Sequence, residues 1–234
     1  MISHVENTAG HYGPKTVYPY REKDSVAILL LRLLYSTKYI IKIGAGSRKP
    51  RLANQLLASF TRNLDLEEPP KRGPQSAAVS VILRDSASPS VLLIKRAERS
   101  GDPWSGQIAF PGGKAKPEDG TAKVTAVRET MEEVGIDLAR AGDFIGYGKV
   151  TTTHIGNMDV VPSVFVLRGG TEVDVKPNDE VASFRWVELE EFLAPASRSQ
   201  YRLNSGENEV VMPAFAVHDY VVWGLTYRVI SSML

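Results

Sequence analysis

The 234-residue chain contains no cysteine. That absence excludes a disulfide framework, a thiolate nucleophile, a cysteine-ligated zinc site and an iron–sulfur cluster together. It leaves reducing and oxidising compartments both open. Neither sign of charge dominates: 28 Lys and Arg stand against 27 Asp and Glu, a formal charge of +1. So small a surplus does not predict nucleic-acid binding by the whole chain. Long apolar runs are missing as well. The longest, Val26 to Leu31, is cut by Arg32, and Lys38 and Lys42 interrupt its continuation, which is too short to span a bilayer. The first residues lack a basic stretch followed by an uninterrupted apolar region and a small-residue cleavage site, so no secretory signal or membrane attachment is expected. The expected compartment is the cytoplasm.

What is present is ordinary globular material, 43% apolar and 24% charged, in a length that suits one catalytic-sized core with an extension. Charge is unevenly spread. Residues 1–50 hold eight basic and three acidic residues, net +5, leaving 20 basic and 24 acidic, net −4, for the rest. Five of the nine tyrosines (Tyr12, Tyr18, Tyr20, Tyr35, Tyr39) also fall there. Residues 1–50 therefore read as an appendage, with one strand or helix around residues 26–42. Two roles are open for it: a phosphate-attracting arm, or a packing and solubility element. Its Gly44-Ala45-Gly46-Ser47-Arg48-Lys49 segment lacks the spacing of a nucleotide P-loop.

From Arg51 the pattern becomes regular. Leu52, Leu56 and Phe60 recur at helical spacing until Pro69-Pro70, and a linker follows to about Gln75. Strand-like runs are expected at Ala77–Leu83, Val91–Lys95, Phe144–Thr152, Val160–Leu167 and Val181–Val187. Between them lie a Gly/Pro-rich loop and a helix from Thr121 to Val134. A short helix near Glu188–Leu193, an extended stretch near Val210–Val217 and a helix from Tyr220 to Met233 close the chain. Strands and helices without strict alternation predict an α+β fold, a sheet sandwiched between helices, rather than a doubly wound parallel sheet. The division read from this is an extension at 1–50, a helix and linker at 51–75, and a main domain at 76–234.

The informative segment is Phe110 to Asp137, FPGGKAKPEDGTAKVTAVRETMEEVGID. At about 100° per residue, Glu129, Glu132 and Glu133 share one arc of the predicted helix, with Val124, Val127, Met131 and Val134 expected opposite, against the sheet. Like charges three and four residues apart repel by a few tenths of a kcal/mol, so helix stability does not explain the cluster. A divalent cation does. Carboxylates without neighbouring His or Cys suit Mg²⁺ or Mn²⁺, hard ions that bridge protein acids to substrate phosphates. Pro111-Gly112-Gly113 supplies backbone that can approach metal or phosphate without a Cβ in the way, and Gly135 can end the helix in a left-handed conformation. Arg128 has two open roles, tying the loop down through Asp119 or contacting a phosphate.

The segment resembles the signature box of the Nudix hydrolases, with Gly113, Arg128, Glu129, Glu132, Glu133, Gly135 and Ile136 at the matching places. Asp119 stands where the box has a loop Glu, Thr130 where it has an apolar residue, and eight residues rather than seven separate Asp119 from Arg128. The Asp, the longer spacing, the Gly106–Gly113 approach (GQIAFPGG), Arg96 in the preceding loop and Trp223-Gly224-Leu225-Thr226 near the end are similar to the coenzyme A pyrophosphatase-like branch. In the loop of that branch thought to contact coenzyme A, this chain reads Arg96 to Gly106 (RAERSGDPWSG), one residue longer and without the usual His. The resemblance covers residues 51–234 and implies an α/β/α sandwich and a Mg²⁺- or Mn²⁺-dependent hydrolase of a nucleoside diphosphate derivative.

On the family pattern, Glu129, Glu132 and Glu133 are metal ligands or catalytic acids, Glu132 being either a third ligand or a base, with the Gly113 carbonyl as a backbone ligand. Arg128 accompanies them, and Glu180 is the candidate acid from a later loop. Arg96, Trp104, Gly112 and Gly113 are the candidate substrate contacts. Trp104 would stack on an adenine or pack as a loop aromatic. Tyr220, Trp223 and Tyr227 are expected in the core or at a dimer contact, and a monomer and a homodimer are equally compatible with the chain. His154, alone in a Thr-rich loop, is expected to be incidental. Three functions stay open: cleavage of coenzyme A or acyl-coenzyme A, cleavage of ADP-ribose, a dinucleotide or a damaged nucleotide, and ligand sensing without catalysis.

Overall fold

The computed structural model describes residues 55–70, 76–153, 156–168, 171–205 and 208–234. The expectations for residues 1–50, and His154, lie outside the described residues.

The centre is a mixed sheet. Strands β1 (Ser76–Arg84) and β7 (Asp159–Leu167) run parallel through nine paired positions, from Ser76 opposite Asp159 to Arg84 opposite Leu167. The other pairings in this sheet are antiparallel: β2 (Ser90–Arg96) with β1, with β3 (Ile108–Ala109) and with β8 (Val181–Glu188), β4 (Gly112–Lys114) with β1, and β5 (Gly142–Tyr147) and β6 (Thr151–Thr152) with β7. Every residue of β7 is buried, which is why its sequence is mainly apolar on both faces, interrupted by Asp159 at its start and Ser163 at its centre. A second sheet is built from β9 (Arg198–Ser205), β10 (Asn208–Val217) and β11 (Tyr220–Trp223).

Side chains alternate across β1 and divide the interior into two layers. Ala78 and Ile82 face α2 (Ala122–Val134), joining Ala126, Val134, Ile136, Val161 and Phe165. Val81 and Leu83 face the other way, toward Phe60, Phe192, Phe215, Val229 and Ile230. That second layer collects residues 55–60, which form α1, together with α4 (Leu189–Leu193) and α5 (Gly224–Met233). A short α3 (Leu138–Ala141) follows α2. The architecture is thus the expected α+β arrangement of a mixed sheet between helices.

Three local expectations are corrected. Tyr220–Trp223 forms β11, and the last helix begins only at Gly224; the i, i+3 spacing of Tyr220 and Trp223 is also compatible with a strand, and cross-strand pairing with Ala214–Val217 decides the matter. The single run Phe144–Thr152 is two strands, β5 and β6. The apolar stripe on α2 is misplaced. Val124 and Met131 are exposed, and the buried face is Ala122, Thr125, Ala126, Thr130, Glu133 and Val134. Small and hydroxyl-bearing residues let the helix sit close on the sheet where larger side chains would hold it off.

Candidate active site

The helix that carries the acids starts and stops as its sequence requires. Thr121 accepts the Val124 amide at its N-cap, Glu68 accepts the Ala122 amide at 2.8 Å, and Gly135 ends it in the left-handed region at φ +68°. The segment beyond then caps its open carbonyls: Lys176 and Asn178 amides donate to Val134 and Glu133, and the Asn178 side chain donates to the Glu132 carbonyl at 3.0 Å. Nothing in the periodicity announces Asn178. Yet this docking is what carries Glu180, two residues on, into the electrostatic neighbourhood of Glu133.

Strand β4 lays the two glycines beside β1, with Gly112 opposite Val79 and Gly113 opposite Ala78. The Gly112 amide donates to Oε2 of Glu133 at 2.8 Å. A Cβ on Gly113 would lie 2.5 Å from the carboxyl carbon of Glu129, and one on Gly112 would lie 2.3 Å from the Ala78 carbonyl oxygen. Each glycine is therefore required by a close approach, Gly113 to an acid and Gly112 to the neighbouring strand.

Arg128 ties the loop down. Its Nε and Nη2 form a paired bond to Asp119, both at 2.9 Å, while Nη1 reaches Glu129 Oε1 at 2.7 Å and Glu132 Oε2 at 3.1 Å. Nη2 also donates to the Lys114 carbonyl. Asp119, 6% exposed, accepts further bonds from the Lys116 amide and the Thr125 hydroxyl. Hydrogen bonding to Arg128 holds the Asp119 carboxyl far below its ordinary range, and Asp119 in turn raises Arg128. Of the two roles open for Arg128, the structure displays the tie to the loop. The Asp that departs from the usual box is short enough to sit buried under that guanidinium.

Glu129, Glu132 and Glu133 do not share one open arc. Glu132 is about half exposed beside Lys116, Glu129 lies between Gly113 and Arg128, and Glu133 is 4% exposed beneath the glycine loop. Burial pushes the Glu133 carboxyl up to about 7, against the lowering effect of the Gly112 amide and of Arg96, whose Nη1 is 3.9 Å away. Among the described residues no three acids or histidines stand grouped as a ready-made metal cage.

The remaining predicted contacts divide. Arg96 reaches the site, held by Asp102 at 2.9 Å, and its Nε is buried without a hydrogen-bond partner. Glu180 is paired with Arg99 at 3.2 Å. Trp104 is partly buried and packs against Ala77, Met158 and Val160. Trp223 stacks on Tyr201 with ring centroids 4.0 Å apart, and Tyr220 is buried with its hydroxyl 3.1 Å from that of Ser183. These two aromatics serve packing.

A match to the NUDIX domain model over residues 74–205, more than half of the chain, encloses all of these acids and the glycine loop. The chain belongs to the Nudix family. An uncharacterised protein of Schizosaccharomyces pombe is 30% identical over 183 residues, 76% of this chain and 53% of that protein. The uncharacterised Nudix hydrolase NudL of Photorhabdus laumondii is 30% identical over 173 residues, covering 73% of this chain and 90% of that one. The peroxisomal coenzyme A diphosphatase ndx-8 of Caenorhabditis elegans is 33% identical over 150 residues, 61% and 62% of the two chains. The chain spans between 53% and 58% of the length of the first curated relatives it matches. Within this Nudix domain, Ser80 and Asn178 are the contributors that motif reading missed. The one available signal was a serine at the centre of an otherwise apolar strand.

Proposed function

We propose that this Nudix protein is a divalent-metal-dependent hydrolase that cleaves the diphosphate of coenzyme A or an acyl-coenzyme A. The observation that carries the reading is the joint approach of Glu129 and Glu133 to the Gly112–Gly113 backbone. The donor set fits Mg²⁺ or Mn²⁺: carboxylate oxygens of Glu129 and Glu133, with the Gly113 carbonyl and Glu132 as further oxygen ligands, and no sulfur or imidazole among them. Two features of the site support the fit. Gly113 leaves a cradle that a Cβ would fill, and Glu133 is buried with too little positive charge beside it to ionise readily. A bound divalent cation supplies neutralisation of phosphate charge and acidification of a water molecule.

The chain's own groups do the rest. Arg96 presents a guanidinium with an unused buried Nε, a donor suited to phosphate oxygens. Arg128 holds Glu129 and the loop in place and is a positioning residue. Glu180, or Glu132 where it serves as base rather than as a ligand, accepts the proton as water attacks phosphorus and the anhydride oxygen leaves. Cleavage of coenzyme A yields a phosphopantetheine and adenosine 3′,5′-bisphosphate. Similarity to a relative named as a coenzyme A diphosphatase favours that substrate. ADP-ribose, dinucleotides and damaged nucleotides are the second reading, favoured by the lengthened Arg96–Gly106 loop without a His. Among the described residues no helix is long and apolar enough to cross a membrane.

The test is kcat/KM for coenzyme A against 3′-dephospho-coenzyme A and ADP-ribose, with products identified by mass. Preference for coenzyme A is expected. Preference for ADP-ribose, or no loss on removing the 3′-phosphate, overturns the substrate; failure of all three with Mg²⁺ and Mn²⁺ overturns the hydrolase.

A further inference from the structure

A polar step runs through the contact between α2 and β1. Ser80 and Thr130 are both 0% exposed. The Ser80 hydroxyl donates to the Ala126 carbonyl at 3.0 Å and accepts from the Thr130 hydroxyl at 2.7 Å. The amide of the same serine donates to the Pro111 carbonyl at 2.8 Å. One residue thus grips both halves of the site. Its backbone holds the loop immediately before Gly112, and its side chain holds the helix at Ala126 and Thr130, on either side of Glu129.

Stability does not call for this arrangement. Replacing both partners of a buried hydrogen bond by apolar groups of the same shape is close to neutral, and the usual box has an apolar residue where Thr130 stands. Geometry does call for it. Before Glu133 and Val134 at its last turn, the α2 face on the sheet is built from Ala122, Thr125, Ala126 and Thr130, side chains too small to form deep ridges that would lock the helix along or about its axis. Directional bonds at Ser80 supply the missing register. Glu133 lies one turn beyond Thr130 on the same face, so a slip of the helix carries it away from the Gly112 amide.

We propose that Ser80 and Thr130 are positioning residues that set the register of α2 against the Gly112–Gly113 loop, and thereby the placement of Glu129 and Glu133. The inference rests on the metal-dependent hydrolase reading. An internal control is available. Ser163 pairs with Ser80 across the sheet, shares its burial and has an Oγ without a hydrogen-bond partner.

The test uses the full chain with Thr130→Val, Thr130→Ser, Ser80→Ala and Ser163→Ala. Three quantities are read: cooperative thermal unfolding, Mn²⁺ binding by electron paramagnetic resonance without substrate, and kcat and KM on the diphosphate the wild type cleaves best. Thr130→Val and Ser80→Ala are expected to unfold cooperatively but to lose about 10-fold or more in Mn²⁺ affinity and in kcat, as removal of outer-shell partners does. KM should stay nearly unchanged. Thr130→Ser should restore both losses, and Ser163→Ala should match the wild type. If Ser80→Ala does not fold, the isosteric Thr130→Val decides. Wild-type Mn²⁺ affinity and kcat in Thr130→Val, or an equal loss in Ser163→Ala, overturns the inference while leaving the hydrolase intact. A wild type that binds no Mn²⁺ and cleaves no diphosphate overturns the hydrolase, and this inference with it.

Discussion

The Cβ position of Gly113 falls 2.5 Å from the carboxyl carbon of Glu129, whereas that of Gly112 falls 2.3 Å from the backbone of Ala78. The two adjacent glycines therefore fail differently. In Gly113→Ala the clash is with the far end of a flexible side chain, so the acid moves and the fold survives. Turnover should drop about 10²-fold, the scale of an ångström-sized misplacement, with the urea midpoint little changed. In Gly112→Ala the clash is with a paired strand, so the urea midpoint should fall too. Equal stability losses in both variants would contradict this division of roles.

How far the sequence could be read depended on whether the signal was local. Helix α2 was legible from end to end because Thr121 and Gly135 are local stop signs. The strands β1, β2, β7 and β8 were legible from β-branched runs. The buried face of α2 was not. Val124 and Met131 score as apolar, but they lie outside the face that meets the sheet, which is Ala122, Thr125, Ala126, Thr130, Glu133 and Val134. Strand β9, Arg198–Ser205, carries mostly polar residues and is fixed by pairing with β10. At the site, the motif supplied the acids and glycines. Ser80 and Asn178 act through tertiary contacts 46 residues away from their partners along the chain, beyond the reach of any spacing rule.

Glu133→Gln keeps shape and the bond from the Gly112 amide but removes the charge. We expect kcat to fall about 10² or more, the scale of losing a metal ligand. Stability of the metal-free protein should move the other way. The Glu133 carboxyl is raised to about 7, so the stability it contributes is complete below the unfolded-state pKa and is lost as pH rises through 7. The neutral amide escapes that loss. Thermal unfolding in a chelator should show the variant more stable than the wild type at pH 8 and the two alike at pH 4. Parent-like turnover in the variant would remove Glu133 from the metal site.

Asp119 titrates in the opposite sense. Its folded-state pKa is depressed by Arg128, so its contribution is present above the ordinary carboxylate range and is lost as pH falls through and below it. At pH 7, Asp119→Asn should cost about 2 kcal/mol, since it weakens the paired bond that Arg128 makes to the loop while Glu129 and Glu132 still face the guanidinium. From pH 5 downward the wild type should lose stability faster than the variant, and the gap between the two should narrow steadily through and below pH 3. Parallel curves over that interval would show that the Asp119–Arg128 pair contributes nothing.

The segment before β1 is the last test, because its side chains enter the main core although the signature box lies wholly downstream. Leu57, Phe60 and Leu64 are 6%, 1% and 6% exposed and pack with Val81, Leu83 and Phe215. Asp65 exchanges two backbone bonds with Tyr147, and Glu68 accepts the first amide of α2. Burying three such side chains is worth about 5 kcal/mol or more, a large part of the roughly 5–15 kcal/mol that holds a domain together. A chain beginning at Arg51 should therefore unfold cooperatively and keep its turnover, while one beginning at Ser76 should lose both. Phe60→Ala gives the graded version, with an expected cost of about 3–5 kcal/mol and unchanged KM. Loss of cooperative unfolding in the chain beginning at Arg51 would instead assign residues 1–50 a share of the core, and full stability in the chain beginning at Ser76 would reduce the Phe60 contact to surface packing.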